Sequence, residues 1–135
     1  MSEIVLKIDA DTEQWPEAED FLNDLLEKHA CPVKLQMQIV VAIEELFVNV
    51  AHYAYPDGNG WVEIHADISD TQAKITLVDG GIPYDPLGHP DPDVDAMAQE
   101  SKIGGLGILM VKKLMDEMKY IYKDGQNCLT VIKAL

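Results

Sequence analysis

In the first part of the chain, apolar residues recur first at every second position and then at helical spacing. Residues 2–8 alternate apolar and polar side chains, which predicts a short β-strand. A helix is predicted to follow, capped at Asp11 or Thr12 and carrying one apolar stripe. The members of this stripe are Trp15, Ala18, Phe21, Leu22, Leu25 and Leu26. The pattern indicates an amphipathic helix that packs against a sheet.

A second, longer helix and a hairpin come next. Pro32 opens the helix, whose apolar residues recur at helical spacing until the turn at residues 56–60. These residues are Ile39, Ile43, Leu46, Phe47, Val50 and Ala54. Residues 61–68 and 71–78 then alternate with a period of two around Ser69-Asp70, which predicts an antiparallel hairpin.

The remaining chain is predicted to hold an irregular segment, a third helix and a final hairpin. Residues 79–103 are rich in glycine, proline and aspartate, and a long irregular segment of this kind is usually a functional lid or disordered. The third helix is predicted from Leu106 to about Met118, and the hairpin has its turn at residues 124–127. The order β-α-α-β-β-loop-α-β-β predicts an α+β fold, a two-layer sandwich of helices on a mostly antiparallel sheet. We expect a single domain over residues 1–135.

The charge of the chain restricts its partners. The net charge is −14, and all ten basic residues are lysines. Nucleic acids and anionic membranes attract basic surfaces, so the composition disfavours direct binding of either. A small phosphorylated ligand remains compatible if backbone amides, a metal ion or a lysine neutralise it locally.

Cysteine spacing and apolar run lengths favour a cytoplasmic location. Cys31 and Cys128 lie far apart and match neither a zinc site nor a disulfide framework. No apolar run has the length of a membrane span, and the first twenty residues do not read as a secretory signal.

Glu45 and Asn49 form the first candidate pair for chemistry. They lie four residues apart on the second predicted helix, so they project from one face about one turn apart. An amide oxygen is a suitable Mg²⁺ ligand, and a nearby carboxylate can orient or deprotonate an attacking hydroxyl. A solvated polar helix face has the same spacing, so this pair alone does not define a site.

Asp79 is the second candidate, because it directly follows a predicted strand. A carboxylate accepts hydrogen bonds, and the exocyclic amine of adenine is a donor where guanine carries a carbonyl. Asp79 would therefore select adenine, and Gly81 would let the backbone approach the ring. An ordinary turn after a strand uses the same residue types.

A glycine-rich segment opens the third predicted helix. Gly104, Gly105 and Gly107 flank Leu106 and leave backbone N–H groups clear at the positive end of the helix dipole, which attracts anions. Lys102 adds a positive charge. Packing glycines at a helix start remain the alternative, but the three candidates together favour one nucleotide pocket.

In these segments the chain resembles the Bergerat-fold (GHKL, histidine kinase-like) ATPases, and most closely their anti-sigma-factor serine/threonine kinase branch. Residues 45–55 resemble the N-box of that branch, residues 79–86 its adenine-binding motif and residues 104–116 its phosphate motif. Thr130 matches a threonine that family members place near adenine. The resemblance spans nearly the whole chain.

The resemblance implies a cytoplasmic regulator that binds Mg-ATP and phosphorylates a serine of a STAS-type anti-sigma factor antagonist. In its other state such a regulator sequesters a sigma factor, and such proteins usually form homodimers. Glu45 is implied as the base, Asn49 as the Mg²⁺ ligand and Asp79 as the adenine selector. The other implied nucleotide contacts are Gly81, Pro83, Lys102, Gly104, Gly105, Leu106, Gly107 and Thr130.

Two positions depart from the family pattern. The family commonly has a histidine four residues after the N-box asparagine, where this chain has Tyr53, with His52 one position earlier. Members often carry an arginine ahead of the glycines, where this chain has Ser101 and Lys102. Lysine lacks the bidentate fork of arginine, so the second departure bears on transfer of the terminal phosphate.

Two other functions fit the same residues. One is an ATP-gated binding module that sequesters a partner without phosphotransfer, which the absent arginine favours. The other is a detached histidine kinase ATPase domain, although no phosphoacceptor histidine lies on a preceding dimerising helix. Pull-downs with ATP, ADP or no nucleotide distinguish the binding module, and transfer of phosphate to a histidine distinguishes the histidine kinase domain.

Overall fold

The computed structural model describes residues 3–88 and 106–135. In this part of the chain, helices pack on one face of a five-stranded sheet whose strand order is β1-β2-β3-β5-β4, and every neighbouring pair is antiparallel. The strands are β1 (Ile4–Asp9), β2 (Trp61–Ile68), β3 (Gln72–Asp79), β4 (Glu117–Lys123) and β5 (Gln126–Ala134). The predicted two-layer α+β sandwich is therefore confirmed.

In the described residues, the helical layer contains three α-helices and several short turns. The helices are α1 (Trp15–Lys28), α2 (Val33–Asn49) and α3 (Leu106–Leu114). Short 3₁₀ turns lie at Thr12–Gln14 and Pro86–Gly88, and a π-helical turn at Val50–Ala54 continues α2. None of the described helices is long and apolar enough to cross a lipid bilayer.

The core lies between the helices and the inner face of the sheet. Along β2 every second side chain is buried, as the period of two requires when one sheet face is covered. On α2 the buried positions recur at helical spacing and include Ile39, Ile43 and Phe47. Phe47 contacts Trp15 of α1 with ring centroids 5.6 Å apart. This burial fixes the position of α2 in the helical layer. The side of α2 that is not buried remains accessible to a ligand or a partner.

The third helix and the last hairpin differ from the sequence prediction. Helix α3 ends at Leu114, and Met118 lies on β4 opposite Val131 of β5. Met110, Leu114 and Met118 have helical spacing in sequence, but pairing with β5 places Met118 in a strand. The hairpin turn consists of Asp124 and Gly125, which both have positive φ, as a two-residue type I′ turn requires.

The π-helical turn changes the register just after Asn49. A π-helical turn adds one residue to an α-helical path, so side chains beyond it point in directions that simple α-helical spacing does not predict. Tyr53 lines a recess at the end of α2 together with Asn49, and His52 is exposed.

Candidate nucleotide site

A recess opens between the end of α2 and the adjoining ends of β3 and β5. The empty space between its walls, including the open mouth, is about 470 Å³. Its apolar walls include Leu46, Ile108 and Leu129. Asn49, Asp79 and Asn127 contribute polar groups, so the recess combines a flat apolar surface with a few directional contacts.

Asp79 lies at the base of this recess with only 5% of its surface exposed. Its Oδ1 accepts hydrogen bonds from the Gly81 N–H and from Nδ2 of Asn127, both at 2.9 Å. Burial raises the pKa of the Asp79 carboxyl, and these two donors oppose that rise. Because both bonds use Oδ1, Oδ2 accepts no hydrogen bond from the described residues and remains available as an acceptor.

Asn127 is a functional candidate that the sequence interpretation missed. Its Nδ2 also donates to the Ile82 carbonyl at 2.8 Å, and its Oδ1 accepts from the Tyr84 N–H at 3.0 Å and from the Tyr120 hydroxyl. The side chain is 5% exposed, so these contacts satisfy an amide that water barely reaches. Asn127 thus holds both Asp79 and the segment that follows it.

The sequence contains a signal for Asn127 that the hairpin prediction overlooks. That prediction assigns Asn127 to the last turn, where a polar residue needs no explanation. In the structure it belongs to β5, and it shares a sheet face with the buried Leu129 and Val131. An amide in phase with core residues of a strand indicates a buried polar contact.

The loop after Asp79 is attached to the end of the α2 segment. The Tyr55 hydroxyl accepts a hydrogen bond from Gly80 N–H at 2.7 Å and donates one to the Trp61 carbonyl at 2.6 Å. The Ile82 N–H donates to the Ala54 carbonyl at 2.9 Å. A Cβ added to Gly81 would collide with the backbone of Ala54. Gly81 is therefore required for contact with this turn, whereas the sequence interpretation assigned it to approach of the adenine ring.

Glu45 and Asn49 lie on the same side of α2, as predicted, but they face different neighbours. Asn49 lines the recess. The half-buried Glu45 carboxylate lies against Gly107 near the start of α3, where an added Cβ would collide with Oε2. The end of α2 therefore brings an amide to the recess and a carboxylate to the first turn of α3.

The other predicted nucleotide contacts have different positions relative to the site. Leu106 begins α3, whereas Lys102, Gly104 and Gly105 lie outside the described residues. Pro83 lines a neighbouring shallow groove together with Tyr55 and Tyr122. It is not among the residues that line the recess, so the structure does not bring Pro83 to Asp79 and Asn49.

Thr130 is not brought to the recess. Alternation along β5 places Leu129 and Asn127 on the helix-covered face and Thr130 on the opposite face. There the Thr130 hydroxyl lies 2.8 Å from that of Thr76 on the neighbouring strand. The residue of β5 that contacts Asp79 in the recess is Asn127.

Gly107→Ala tests the close packing at the start of α3. The new methyl group would displace the Glu45 carboxylate, and because that is the end of a flexible side chain, the fold should lose less than about 1 kcal/mol. If Glu45 acts on a substrate hydroxyl, we expect about a tenfold slower turnover with nucleotide affinity changed less than threefold. Urea unfolding, calorimetry and rate measurements separate these effects. An unchanged rate would show that the position of this carboxylate does not matter.

These contacts define a candidate nucleotide-binding site at one end of an α+β sandwich. The chain belongs to the histidine kinase-like ATPase domain family, whose model matches residues 8–133. The match includes α2, the Asp79 loop, α3 and nearly all of β5.

Two curated proteins with similar sequences are named as protein kinases. The serine/threonine-protein kinase BtrW of Bordetella bronchiseptica is 25% identical over 100 residues, which is 73% of this chain and 70% of BtrW. The serine-protein kinase RsbW of Staphylococcus aureus is 28% identical over 105 residues, covering 70% of this chain and 63% of that protein. The chain thus spans less than two thirds of the RsbW length.

A solved structure supports the fold. The crystal structure of the RsbU and RsbW domains of a Mycobacterium tuberculosis protein superposes with a TM-score of 0.66 at 18% sequence identity. The match covers 98% of this chain and 32% of the longer one. The common architecture therefore extends over almost all of the sequence.

Proposed function

We propose that this protein is an ATP-binding regulator that acts as a serine/threonine kinase on a STAS-type anti-sigma factor antagonist. The observation that carries the proposal is the convergence of Asp79 and Asn127 at the base of a recess whose rim holds Asn49, with Glu45 one turn away. Family membership and the kinase names of BtrW and RsbW support it.

The base of the recess fits adenine. The free Oδ2 of Asp79 matches the exocyclic amine donor of that ring, and Leu46, Ile108 and Leu129 provide apolar surface for its faces. Asn127 holds Asp79 through Oδ1 and so directs the other oxygen into the recess. Guanine would place a carbonyl against that oxygen and leave two acceptors facing each other.

The rim of the recess fits a magnesium-bound triphosphate. Within the described residues no cluster of three potential side-chain ligands suits a metal ion held by protein alone. Mg²⁺ is commonly held by one or two protein oxygens together with phosphate oxygens of the substrate, and Asn49 offers such an oxygen. Bound Mg-ATP supplies the phosphoryl group that is transferred.

In this proposal Glu45 acts on the acceptor. Its carboxylate accepts the proton of a substrate serine hydroxyl as that oxygen attacks, the role of a general base. The first turn of α3 lies against this carboxylate, and its N–H groups provide donors for phosphate oxygens. The general base and the anion-binding N–H groups are thus supplied by two adjacent helices, α2 and α3.

The remaining parts of the proposal concern the regulatory circuit. A protein that phosphorylates an antagonist and sequesters a sigma factor would be cytoplasmic and would act as one domain over residues 1–135, in a homodimer. The strong negative charge is consistent with regulation through protein partners instead of direct contact with nucleic acid.

Two measurements test the proposal in sequence. Calorimetry with ATP and Mg²⁺ should show binding, with GTP much weaker. Radiolabelled ATP should then label a serine of the antagonist, with acid-stable phosphate. ATP binding without phosphotransfer would contradict the kinase assignment. Acid-labile phosphate on a histidine would indicate a histidine kinase domain instead. Absence of affinity for any adenine nucleotide would contradict the assignment of the recess as a nucleotide site.

Asn49→Ala and Glu45→Gln separate the two roles on α2. Removing the Asn49 amide should weaken Mg-ATP binding about tenfold, because one metal ligand is lost, with little effect on the fold. Glu45→Gln should leave ATP affinity within twofold and slow phosphoserine formation, because the amide cannot accept the proton. Calorimetry and single-turnover rates measure these effects. Equal rates for Glu45→Gln and the parent would exclude Glu45 as the base.

A second candidate function is an ATP-gated binding module without phosphotransfer. The observation that favours it is the absence of arginine from the whole chain, since lysine stabilises a transferring phosphoryl group less specifically. Pull-down of the antagonist with ATP, ADP or no nucleotide distinguishes the functions. Retention that depends on nucleotide, with no phosphoserine formed, would support the binding module.

A further inference from the structure

Helix α2 carries a single ridge of residues spaced by four along its exposed side. Positions at this spacing form one continuous row on a helix surface. The row begins with Val33, Met37 and Val41, which we name the apolar ridge, and continues through Glu45 and Asn49. The same row therefore passes from an apolar half into the half that faces the candidate site.

None of the residues that the structure describes covers the apolar ridge. Val33 is 73% exposed, Met37 is 63% exposed and Val41 is 40% exposed. These side chains lie on the side of α2 opposite its buried residues, so core packing does not account for them. The rise from Val33 to Glu45 is about 18 Å, enough to contact several turns of a partner helix or a short strand.

The ridge is bordered by carboxylates, which we name the acidic flank: Glu19, Glu27 and Glu44. Gln36 of α2 donates hydrogen bonds to Asn23 and Glu27 of α1, at 2.8 and 3.4 Å, so the two helices form one surface here. Burial raises the pKa of Glu44, and the charges of Glu19 and Glu45 raise it further. A basic side chain of a partner bound at this flank would reduce the repulsion between these carboxylates.

We infer that the apolar ridge and the acidic flank form the docking surface for the protein that receives phosphate, a partner with an apolar strip bordered by basic side chains. This inference rests on the proposed function, because it names the substrate of the same site. A partner seated on Val41 would lie one helical turn from Glu45. Docking would therefore bring a serine hydroxyl to the carboxylate.

Charge argues against other occupants of the surface. Two copies of this chain meeting through the ridge would set one acidic flank against another, within molecules that each carry −14. An anionic membrane or a nucleic acid would meet the same repulsion. Lys34, on the other side of the ridge, is a single positive charge and does not reverse this balance.

Met37→Lys tests the inference, with Ile121→Lys as the matched control. Ile121 is 57% exposed on β4, on the face of the sheet away from the helices, so both changes add one charge to an exposed apolar position. With the full chain, ATP and a purified STAS-type antagonist, Met37→Lys should raise the KM for the antagonist at least tenfold. We expect kcat and ATP affinity to stay within twofold, and Ile121→Lys to match the parent.

Glu44→Gln tests the acidic flank separately. It should raise the same KM about threefold at low salt and have less effect at high salt, because a charge at an interface rim acts mainly on association. Equal KM values for Met37→Lys, Ile121→Lys and the parent would overturn the inference. So would a change in the molecular mass of Met37→Lys in solution with an unchanged KM, which would make the ridge a contact between copies.

The outcomes also separate this inference from the proposed function. Calorimetric binding of the antagonist, measured with a non-hydrolysable ATP analogue, does not require phosphotransfer. Loss of that binding in Met37→Lys would support the surface even if the parent forms no phosphoserine. If the parent neither binds nor phosphorylates the antagonist, the docking surface and the kinase assignment both fall, while ATP binding is judged by its own titration.

Discussion

Replacing Asp79 with asparagine should weaken ATP binding about 100-fold and reverse the purine preference. Gly81 N–H and Asn127 Nδ2 both donate to Oδ1, so the new amide should keep its oxygen there and direct its NH₂ into the recess. A donor would then meet the amine of adenine, and an acceptor in a charged hydrogen bond would be lost, which together cost about 3 kcal/mol. The same NH₂ matches the carbonyl of guanine.

The same substitution should stabilise the protein without ligand at neutral pH. Burial raises the pKa of Asp79 in the folded state, so the ionised carboxylate lowers stability as the pH rises through that pKa. Asparagine has no charge to bury, and its advantage over the parent should therefore grow from acid to neutral pH. Urea unfolding at a series of pH values measures this difference.

Asp24→Asn is the matched control for Asp79→Asn. Asp24 lies on the exposed side of α1, so its substitution removes the same charge at a solvated position. It should leave ATP affinity and the pH dependence of stability close to those of the parent. ATP affinity unchanged in Asp79→Asn, or GTP still bound less well than ATP, would contradict the assignment of Asp79.

Asn127→Asp should lower the stability of the fold more than any of the other substitutions. It keeps the shape of the side chain and the acceptor for Tyr84 N–H, but it removes the donor to Asp79 and to the Ile82 carbonyl. Two carboxylates would then lie in contact in a nearly buried position, where like charges cannot both ionise freely. We expect a loss of about 2–4 kcal/mol in the free energy of unfolding at pH 8.

The pH dependence of Asn127→Asp distinguishes this cause from poor packing. A shared proton between the two carboxyls restores a hydrogen bond, so the folded-state pKa of the pair should be raised. The variant should then be nearest the parent at acid pH and lose stability as the pH rises through that pKa. Asn59→Asp makes the same change on an exposed turn and should show no such slope. A loss independent of pH would indicate packing alone.

Much of the fold could be predicted because local pattern and tertiary structure agree. The core buries the apolar residues that alternate in β2 and β3 and those that form the helical stripes of α1 and α2. The exception is Met118, whose spacing from Leu114 suits a helix. In the structure it belongs to a strand because it pairs with Val131 of β5, a contact that lies outside the helical spacing used for the prediction. Pairing between strands is a long-range property that local periodicity cannot specify.

The candidate site could be predicted only where each residue stood in a local motif. Glu45, Asn49 and Asp79 were predicted from spacing and from their positions at element ends, and the structure places Asn49 and Asp79 on one recess. Asn127 was missed because the predicted turn at residues 124–127 kept it out of the strand, and Thr130 was predicted from the resemblance alone. The turn of the structure is two residues shorter, so β5 begins at Gln126 and includes Asn127 on the face of Leu129 and Val131.

The single hydroxyl of Tyr55 gives the site a mechanical property. It joins the loop after Asp79 to the first residue of β2, while Ala54 and Ile82 are joined by their backbones. A shift of the loop after Asp79, which forms the floor of the recess, would therefore also displace the end of α2, the helix that carries Glu45 and the apolar ridge. A displacement of the floor on purine binding would therefore pass, through these few hydrogen bonds, to the surface proposed for the second protein.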